Sequence, residues 1–370
     1  MDPHHEPHTA VPSVGIRAPQ CPVASGQSVA CCQSCGLKVL QTAKTGPAFP
    51  RLVLLTGGLG GARIAPALSD AVSPGQLTVI ANVGDDLTWF GLRICPDVDS
   101  VLYSLAGLWD DQTGWGLRGD SFRARDTVAA LDEPPWFNVG DQDLGLHLLR
   151  TELLRSGLTL TEVTRELARR LGIQQAAVIP ASDQPSETRV VLEDGRVLHF
   201  QEWYVKEKAH PPVRQVKVAH GPASPAALKA LRDSDAVIVG PSNPVSSIGP
   251  ILALDGIVDA VSGVPCRIAA SPTVLGTGPG DAGVRHHALA RQRLLAADGD
   301  MDTPADIARR YSGLVQHFVL DRADSGQAPE IERLALKPMT CDLLNPGELA
   351  RALVSLSRRD RPAGQAHRSG

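Results

Sequence analysis

The chain has 370 residues, 43% of them apolar and 21% charged, enough to bury a sizeable core in one large α/β unit or two domains. A formal net charge of −4 offers no global attraction for nucleic acid or an anionic membrane, and no apolar run reaches the roughly 18 residues of a membrane span. Met1 to Pro50 lacks the charged-then-apolar order of a secretory signal, so a cytoplasmic location is expected.

Residues 1–50 are rich in Pro, Ser, Gly and His, show no periodicity and are expected to form a disordered extension. Cys32-x-x-Cys35 there has metal-ligand spacing, with His4, His5 and His8 upstream. A zinc framework needs a second spaced pair, and none is evident. Cys95, Cys266 and Cys341 stand far apart and are expected to be reduced thiols.

Arg51 to Thr56 is a short apolar run suited to a buried parallel strand. The turn Gly57-Gly58-Leu59-Gly60-Gly61 follows at once, and the spacing of Ile64, Leu68 and Val72 predicts a helix over 62–72, with Pro66 near its first turn. Leu77 to Ala81 reads as a second buried strand, which makes a strand–helix–strand unit and the start of a doubly wound sheet. Asp97 to Leu105 reads as a helix with Val98, Leu102 and Leu105 inward. A further helix is expected over 141–155 with Leu144, Leu148 and Leu149 inward, and Thr159 with Glu162 forms a capping-box signal for the next.

Thr188 to Phe200 reads as two strands around Asp194-Gly195, with another strand over 213–219. A helix over 226–232, a buried strand over 235–240, a helix around 251–261, a strand over 266–270, a helix over 303–313 and a late strand over 317–320 complete the pattern. The expected fold class is α/β: a doubly wound, mostly parallel Rossmann-like sheet over 51–325. A β-hairpin and helical substrate-binding region is inserted near 100–220, and a C-terminal helix with a polar tail occupies 326–370.

Glycines between a buried strand and a helix let the backbone approach a ligand closely, and the helix N–H groups and dipole favour an anion there. A diphosphate suits Gly57, Gly58, Gly60 and Gly61, with Arg63 placed to pair with a phosphate oxygen. Tight helix–sheet packing is the plainer explanation of the same glycines. Asp85, Asp86, Asp97 and Asp99 cluster beyond the second strand, where open α/β sheets bind ligands. Carboxylates beside a diphosphate suit Mg²⁺ or accept a proton from an attacking hydroxyl; singly, Asp85 could close a turn and Asp97 cap a helix. Ser242, Asn243, Ser246 and Ser247 lie in a Pro-punctuated loop after another buried strand, as a second anion or nucleobase contact or as ordinary loop and cap residues. No Gly-x-Ser-x-Gly elbow or Walker Lys is present. The histidines, including His147, His199, His210, His220, His286 and His287, are scattered and read as surface or core residues rather than ligands.

Thr56 to Arg63, Ala81-Asn-Val-Gly-Asp-Asp86, Cys95-Pro-Asp-Val-Asp99, Trp136-Phe-Asn-Val-Gly-Asp141, Pro180-Ala-Ser-Asp183 and Gly240-Pro-Ser-Asn-Pro-Val-Ser-Ser-Ile-Gly-Pro-Ile251 occur in one order. That series resembles the 2-phospho-L-lactate transferase family, whose bacterial branch is called phosphoenolpyruvate transferase. The resemblance implies a role in making coenzyme F-420. A phosphorylated three-carbon acid, enolpyruvyl phosphate or 2-phospholactate, would pass from a guanosine-diphosphate-linked donor to the deazaflavin Fo, releasing GMP. It also implies Mg²⁺ and a homodimer. By motif, Gly57, Gly58, Gly60, Gly61, Arg63, Ser242, Asn243, Ser246 and Ser247 would bind the nucleotide. Asp85, Asp86 and Asp99 would hold Mg²⁺ or orient the attacking hydroxyl, and Asp99 and Asn138 would lie near Fo. The chain departs from the family pattern at Leu59, Arg63, Gln142 and Thr277.

Two other classes compete. A nucleotide-sugar-binding regulator of similar fold would share the glycine turn but not the Asn-Pro-x-x-Ser-Ile-Gly-Pro string. A Rossmann oxidoreductase would want Gly-x-Gly-x-x-Gly and an acid ending the second strand, where Asn82 stands.

Overall fold

The apolar run after Pro50 becomes β1 (Leu52–Thr56), buried at every position. It lies in the middle of the sheet, where both faces are covered, so no alternation of polar residues is tolerated. The computed structural model describes residues 50–132, 135–272 and 282–359. The expected disorder of the N-terminal extension, the Cys32-x-x-Cys35 pair, Thr277 and the polar tail lie outside the described residues.

The remaining strands are β2 (Leu77–Ala81), β3 (Leu87–Trp89), β4 (Leu92–Ile94), β5 (Ala176–Pro180), β6 (Thr188–Leu192), β7 (Val197–His199), β8 (Val213–Val218), β9 (Ala236–Val239), β10 (Cys266–Ala270), β11 (His317–Asp321) and β12 (Lys337–Cys341). Seven of them form one sheet in the order β12-β11-β10-β9-β1-β2-β5. Every neighbouring pair in it is parallel. The chain winds outward one way through β1, β2 and β5 and the other way through β9 to β12. Its switch point is therefore the gap between β1 and β9, the place where such sheets open a crevice at the strands' C-terminal ends. The loops that leave β1 and β9 are the glycine turn and the 240–250 loop.

The expected hairpin over 188–200 is β6 with β7, and β8 pairs with β6 on its other side to give a small antiparallel sheet. β3 and β4 form a second hairpin that the sequence did not signal. Its turn residues Phe90 and Gly91 both have positive φ, at 47° and 75°. Such turns usually carry Asn or Asp before the Gly, and Phe hides the pattern. Cys95, Cys266 and Cys341 are buried and form no disulfide.

Several expectations are corrected. The first helix begins at Gly58, not 62, and runs to Asp70, so the glycine turn is its first turn and Pro66 lies in its interior. Pro66 cannot donate to the Ala62 carbonyl; the Ser104 hydroxyl of the neighbouring helix Pro96–Leu105 donates to it instead. The expected helix around 251–261 is two short ones, Gly249–Leu252 and Ile257–Ser262, separated where Gly256 turns left-handed at φ 78°. Leu148 of the helix Asp141–Arg155 is 53% exposed, whereas His147, Arg150 and Thr151 are buried. Leu149 packs against the core as expected, with Leu146, Leu153 and Leu154, and the same helix also buries a charged network beside them. The C-terminal boundary at 325 falls inside the fold: β12 joins the main sheet, and the helix Pro346–Arg359 buries Leu349, Leu353 and Leu356. The helices Arg123–Leu131 and Ala282–Ala297 had no clear sequence signature.

Candidate active site

At the end of β1 the backbone of Gly57 is extended, at φ −158°, and caps the first helix. Glycine is required there by space. A Cβ on Gly57 would overlap the Asp97 carboxylate, and one on Gly60 would overlap the Pro241 carbonyl. The two glycines thus let three segments converge: the helix start, the acid-bearing helix Pro96–Leu105 and the loop after β9. Ser242 fastens that loop to the turn. Its Oγ lies 2.7 Å from Thr56 Oγ1, accepts from Gly57 N at 3.2 Å and donates to Gly57 O at 2.9 Å. Asn243 Oδ1 accepts from the amides of Val245 and Ser246 at 2.9 and 3.2 Å. Its carbonyl accepts from both Ser247 and Ile248 at 3.0 Å, a widened π-turn over Pro244–Ile248. Such turns are rare and recur at functional sites.

Asn82, the last residue before the 83–86 turn, joins two acids. Its Nδ2 donates to Asp85 Oδ1 at 3.2 Å and to Asp97 Oδ2 at 2.8 Å, and it also reaches the Ser246 carbonyl at 3.2 Å. Gln201 Nε2 lies 3.5 Å from Asp85 Oδ2. Both carboxyls are buried, and no Arg, Lys or His among the described residues pairs with either. Burial, then the nearby Asp97 charge, holds Asp85 well above the usual carboxylate range. Burial likewise pushes Asp97 up to about 7. Two oxygen-ligand groups that resist ionising together are a fitting donor set for a hard divalent cation.

The other two acids face elsewhere. Asp86 Oδ2 accepts from Arg93 Nη2 at 2.8 Å. Burial raises its pKa to about 6, against the opposing Arg93 charge. Asp99 forms a buried ion pair with Arg150. His147 Nδ1 lies 3.1 Å from Arg150 Nη1, and His147 Nε2 lies 3.2 Å from Asp143 Oδ1. Asp99, Asp143 and His147 do bring possible ligand atoms within 4.8 Å of one another. Arg150 already supplies the positive charge at that spot, which disfavours a cation. Neither Asp86 nor Asp99 lines the cavity; Asp97, first read as a possible cap, does. Helix geometry offered the signal: residues two apart point about 200° apart, so Asp97 and Asp99 cannot both face one site.

These groups border a cavity of about 580 Å³, within the size range of small-molecule sites. The structure brings Gly57, Gly58, Gly60, Arg63, Asp85, Ser242, Asn243, Ser246, Ser247 and Asn138 to its wall. Gly61 is instead packed against the Thr56 side chain. Arg63 is exposed and makes no ion pair among the described residues. Asn138 Oδ1 accepts from Arg125 Nη1 at 3.3 Å. Trp109 and Trp115 also line the cavity. The wall also carries Phe200 and Tyr204, which no sequence motif marked, and His286 and His287, which the sequence suggested were surface or core residues. Only the fold brings the 200–205 segment against the helix Ala282–Ala297.

Fold and site together define a Rossmann-like α/β protein with a cavity at its switch point, bordered by a glycine cradle and an acid pair. The family model described as "2-phospho-L-lactate transferase CofD" matches residues 52–345. A protein named phosphoenolpyruvate transferase from Streptomyces griseus is 38% identical over 299 residues, covering 78% of this chain and 90% of that protein. One of the same name from Streptomyces coelicolor is 37% identical over 330 residues, covering 85% and 100%. Among solved structures, a member of the UPF0052 family from Bacillus halodurans superposes with a TM-score of 0.55 at 16% identity, over 84% of this chain and 100% of that one, a likeness of fold. The chain belongs to the CofD family of 2-phospho-L-lactate transferases. It is a transferase, and the family places it in coenzyme F-420 biosynthesis. No helix among the described residues is long and apolar enough to cross a membrane.

Proposed function

We infer that the protein transfers enolpyruvyl phosphate, or 2-phospholactate, from a guanosine-diphosphate-linked donor to Fo, giving the dehydro or saturated F-420 precursor and GMP. The relatives named phosphoenolpyruvate transferase favour the first acid. The observation that carries the reading is the placement of Asp85, Asn82 and Asp97 directly against the glycine turn, at the sheet's switch point.

In this reading the glycine turn and the loop after β9 hold the donor's diphosphate on backbone amides, as helix starts do. Asp85 and Asp97 would hold Mg²⁺, which supplies charge neutralisation on the phosphates when bound. Asn82 fixes both carboxyls in place and keeps them near one another despite their repulsion. Phosphoryl transfer asks mainly for positioning and electrostatic stabilisation. The acceptor hydroxyl of Fo forms the new bond to phosphorus while the bond to GMP breaks. An acid of the pair whose pKa burial has raised is suited to take the hydroxyl proton. The ring system of Fo would lie in the part of the cavity lined by Trp115, Phe137 and Asn138. A cytoplasmic homodimer, the habit expected of the family, completes the reading, and light scattering in solution checks its second half.

The test is direct. The protein is incubated with Fo, Mg²⁺ and each guanosine-linked donor in turn, and the product is weighed while GMP release is followed. A mass gain matching the phosphorylated acid supports the reading. Absence of transfer, with a thermal shift from a UDP-sugar but none from GDP, would favour a binding regulator instead.

A further inference from the structure

The helices Arg123–Leu131 and Asp141–Arg155 start side by side, and neither is capped by the side chain of its own N-cap residue, Phe122 or Gly140. Each takes a carboxylate from the start of the other. Asp120, just before the first helix, accepts from the amides of Gln142 and Asp143 at 2.9 and 3.1 Å, in the first turn of the second. Asp141 in return accepts from the amides of Arg123 and Ala124 at 3.1 and 3.0 Å, and from the Ser121 hydroxyl at 2.6 Å. The Asp141 amide closes the base of the loop by donating to the Ser121 carbonyl at 2.7 Å. A Cβ on Gly140 would overlap the Asp120 carboxylate, so glycine is what admits that acid. Both charges sit at helix N-termini, which favour them. The Ser121 hydroxyl, then the helix amides, hold the Asp141 carboxyl below the usual carboxylate range.

The loop pinned in this way carries part of the cavity wall. Phe137 and Asn138, shortly before Gly140, line the cavity. Arg125 donates to Asn138 Oδ1 at 3.3 Å and lies over the Phe122 ring at 4.6 Å. Trp115, on the same wall, meets Phe122 edge-on at 5.9 Å. Phe137 also packs against Trp89 and Trp136. No side chain of the helix Arg123–Leu131 is fully buried, so apolar packing alone does not fix its start. Asp141 holds that start, and with it Phe122 and Arg125.

We propose that Asp120 and Asp141 are positioning residues for the acceptor: their exchanged caps hold Trp115, Phe137 and Asn138 where its flat ring system lies. The proposal rests on the transferase reading above, which puts the ring of Fo at this end of the cavity. Neither carboxylate lines the cavity, so both act through the wall residues. The glycine turn, the acid pair and the loop after β9 stand on other elements and should keep their geometry when the caps are lost.

The test uses the full-length protein and the variants Asp120→Ala, Asp141→Ala and Asp120→Asn. Each alanine variant should raise KM for Fo about fivefold or more, the scale of one lost helix cap. KM for the guanosine-linked donor should stay within about twofold. Asn keeps an accepting oxygen and caps helices about as well as Asp, so Asp120→Asn should return KM for Fo to within about twofold of wild type. Backbone hydrogen exchange in the alanine variants should quicken over 121–124 and 140–143 and stay as in wild type in β1 and β9. An unchanged KM for Fo in both alanine variants overturns the proposal. So does an equal rise in both KM values, or an Asp120→Asn variant no better than Asp120→Ala. Loss of cooperative unfolding in both alanine variants overturns it too, since the caps would then support the whole fold rather than this wall. Wild-type protein that transfers nothing to Fo removes the transferase reading and this proposal with it, whereas an active wild type with unaltered variants removes the proposal alone.

Discussion

The Asp97 carboxylate occupies the space that a side chain on Gly57 would need. The cradle and the acid pair are therefore one unit: whatever moves the turn moves Asp97. Gly57→Ala must displace the helix Pro96–Leu105 or the turn itself. Transfer activity is expected to fall at least tenfold, with a drop in melting temperature of a few degrees, since overpacking a tight site costs about 1–3 kcal/mol. Steady-state kinetics and calorimetry measure the two. Wild-type activity in that variant would mean that the contact does not govern the site.

The two acids of the Asp97-Val-Asp99 stretch should separate by phenotype. Asp97→Asn keeps the shape and removes a charge from the cavity, so turnover should collapse while the denaturation midpoint holds or rises. Asp99→Asn leaves Arg150 buried without its counter-ion. That variant should lose about 3–5 kcal/mol of stability, as one-sided removal of a buried pair does. Urea unfolding beside activity assays distinguishes them. The reverse pattern would return Asp99 to the chemistry.

Acidity couples the site to stability. Asp97 is raised to about 7 and Asp86 to about 6, chiefly by burial. A carboxyl whose folded pKa exceeds its unfolded value of roughly 3.9 binds protons more tightly when folded, so its stabilising contribution is complete at acid pH and is lost as pH rises through the folded pKa. Between pH 5 and 8, with metal chelated, these two groups should lower the melting temperature as pH climbs. Mg²⁺ should recover more of it at pH 8 than at pH 5, because it favours the ionised pair. Equal Mg²⁺ effects at both values would argue against a cation at Asp85 and Asp97.

Ser104 compensates for a proline. Its hydroxyl donates to the Ala62 carbonyl that Pro66 leaves without an intrahelical donor. Ser104→Ala should cost about 1 kcal/mol. In a Pro66→Ala background, where an N–H is restored, it should cost less. A double-mutant cycle by chemical denaturation measures the coupling, and a zero coupling energy would dissociate the two residues.

Much of this protein was legible in the chain itself, because buried parallel strands are forced to be apolar runs and because glycine, proline and capping residues mark their own positions. β1, β2, β9, β10 and β11 declared themselves this way, as did the Thr159–Glu162 capping box. So did the order of motifs that carries the family. The hairpin at Phe90 escaped because its turn lacks the usual residues. Arg150 escaped because a buried arginine looks like a surface one until its partner is placed. Sequence periodicity also could not choose among four aspartates of one type. Their placement depends on which face of a helix meets which loop: Asp85 and Asp97 lie on the cavity wall, bridged by Asn82, while Asp86 and Asp99 pair with Arg93 and Arg150. The wall of Phe200, Tyr204, His286 and His287 was decided by tertiary structure alone, since no local rule relates residues more than eighty positions apart until the sheet closes between them.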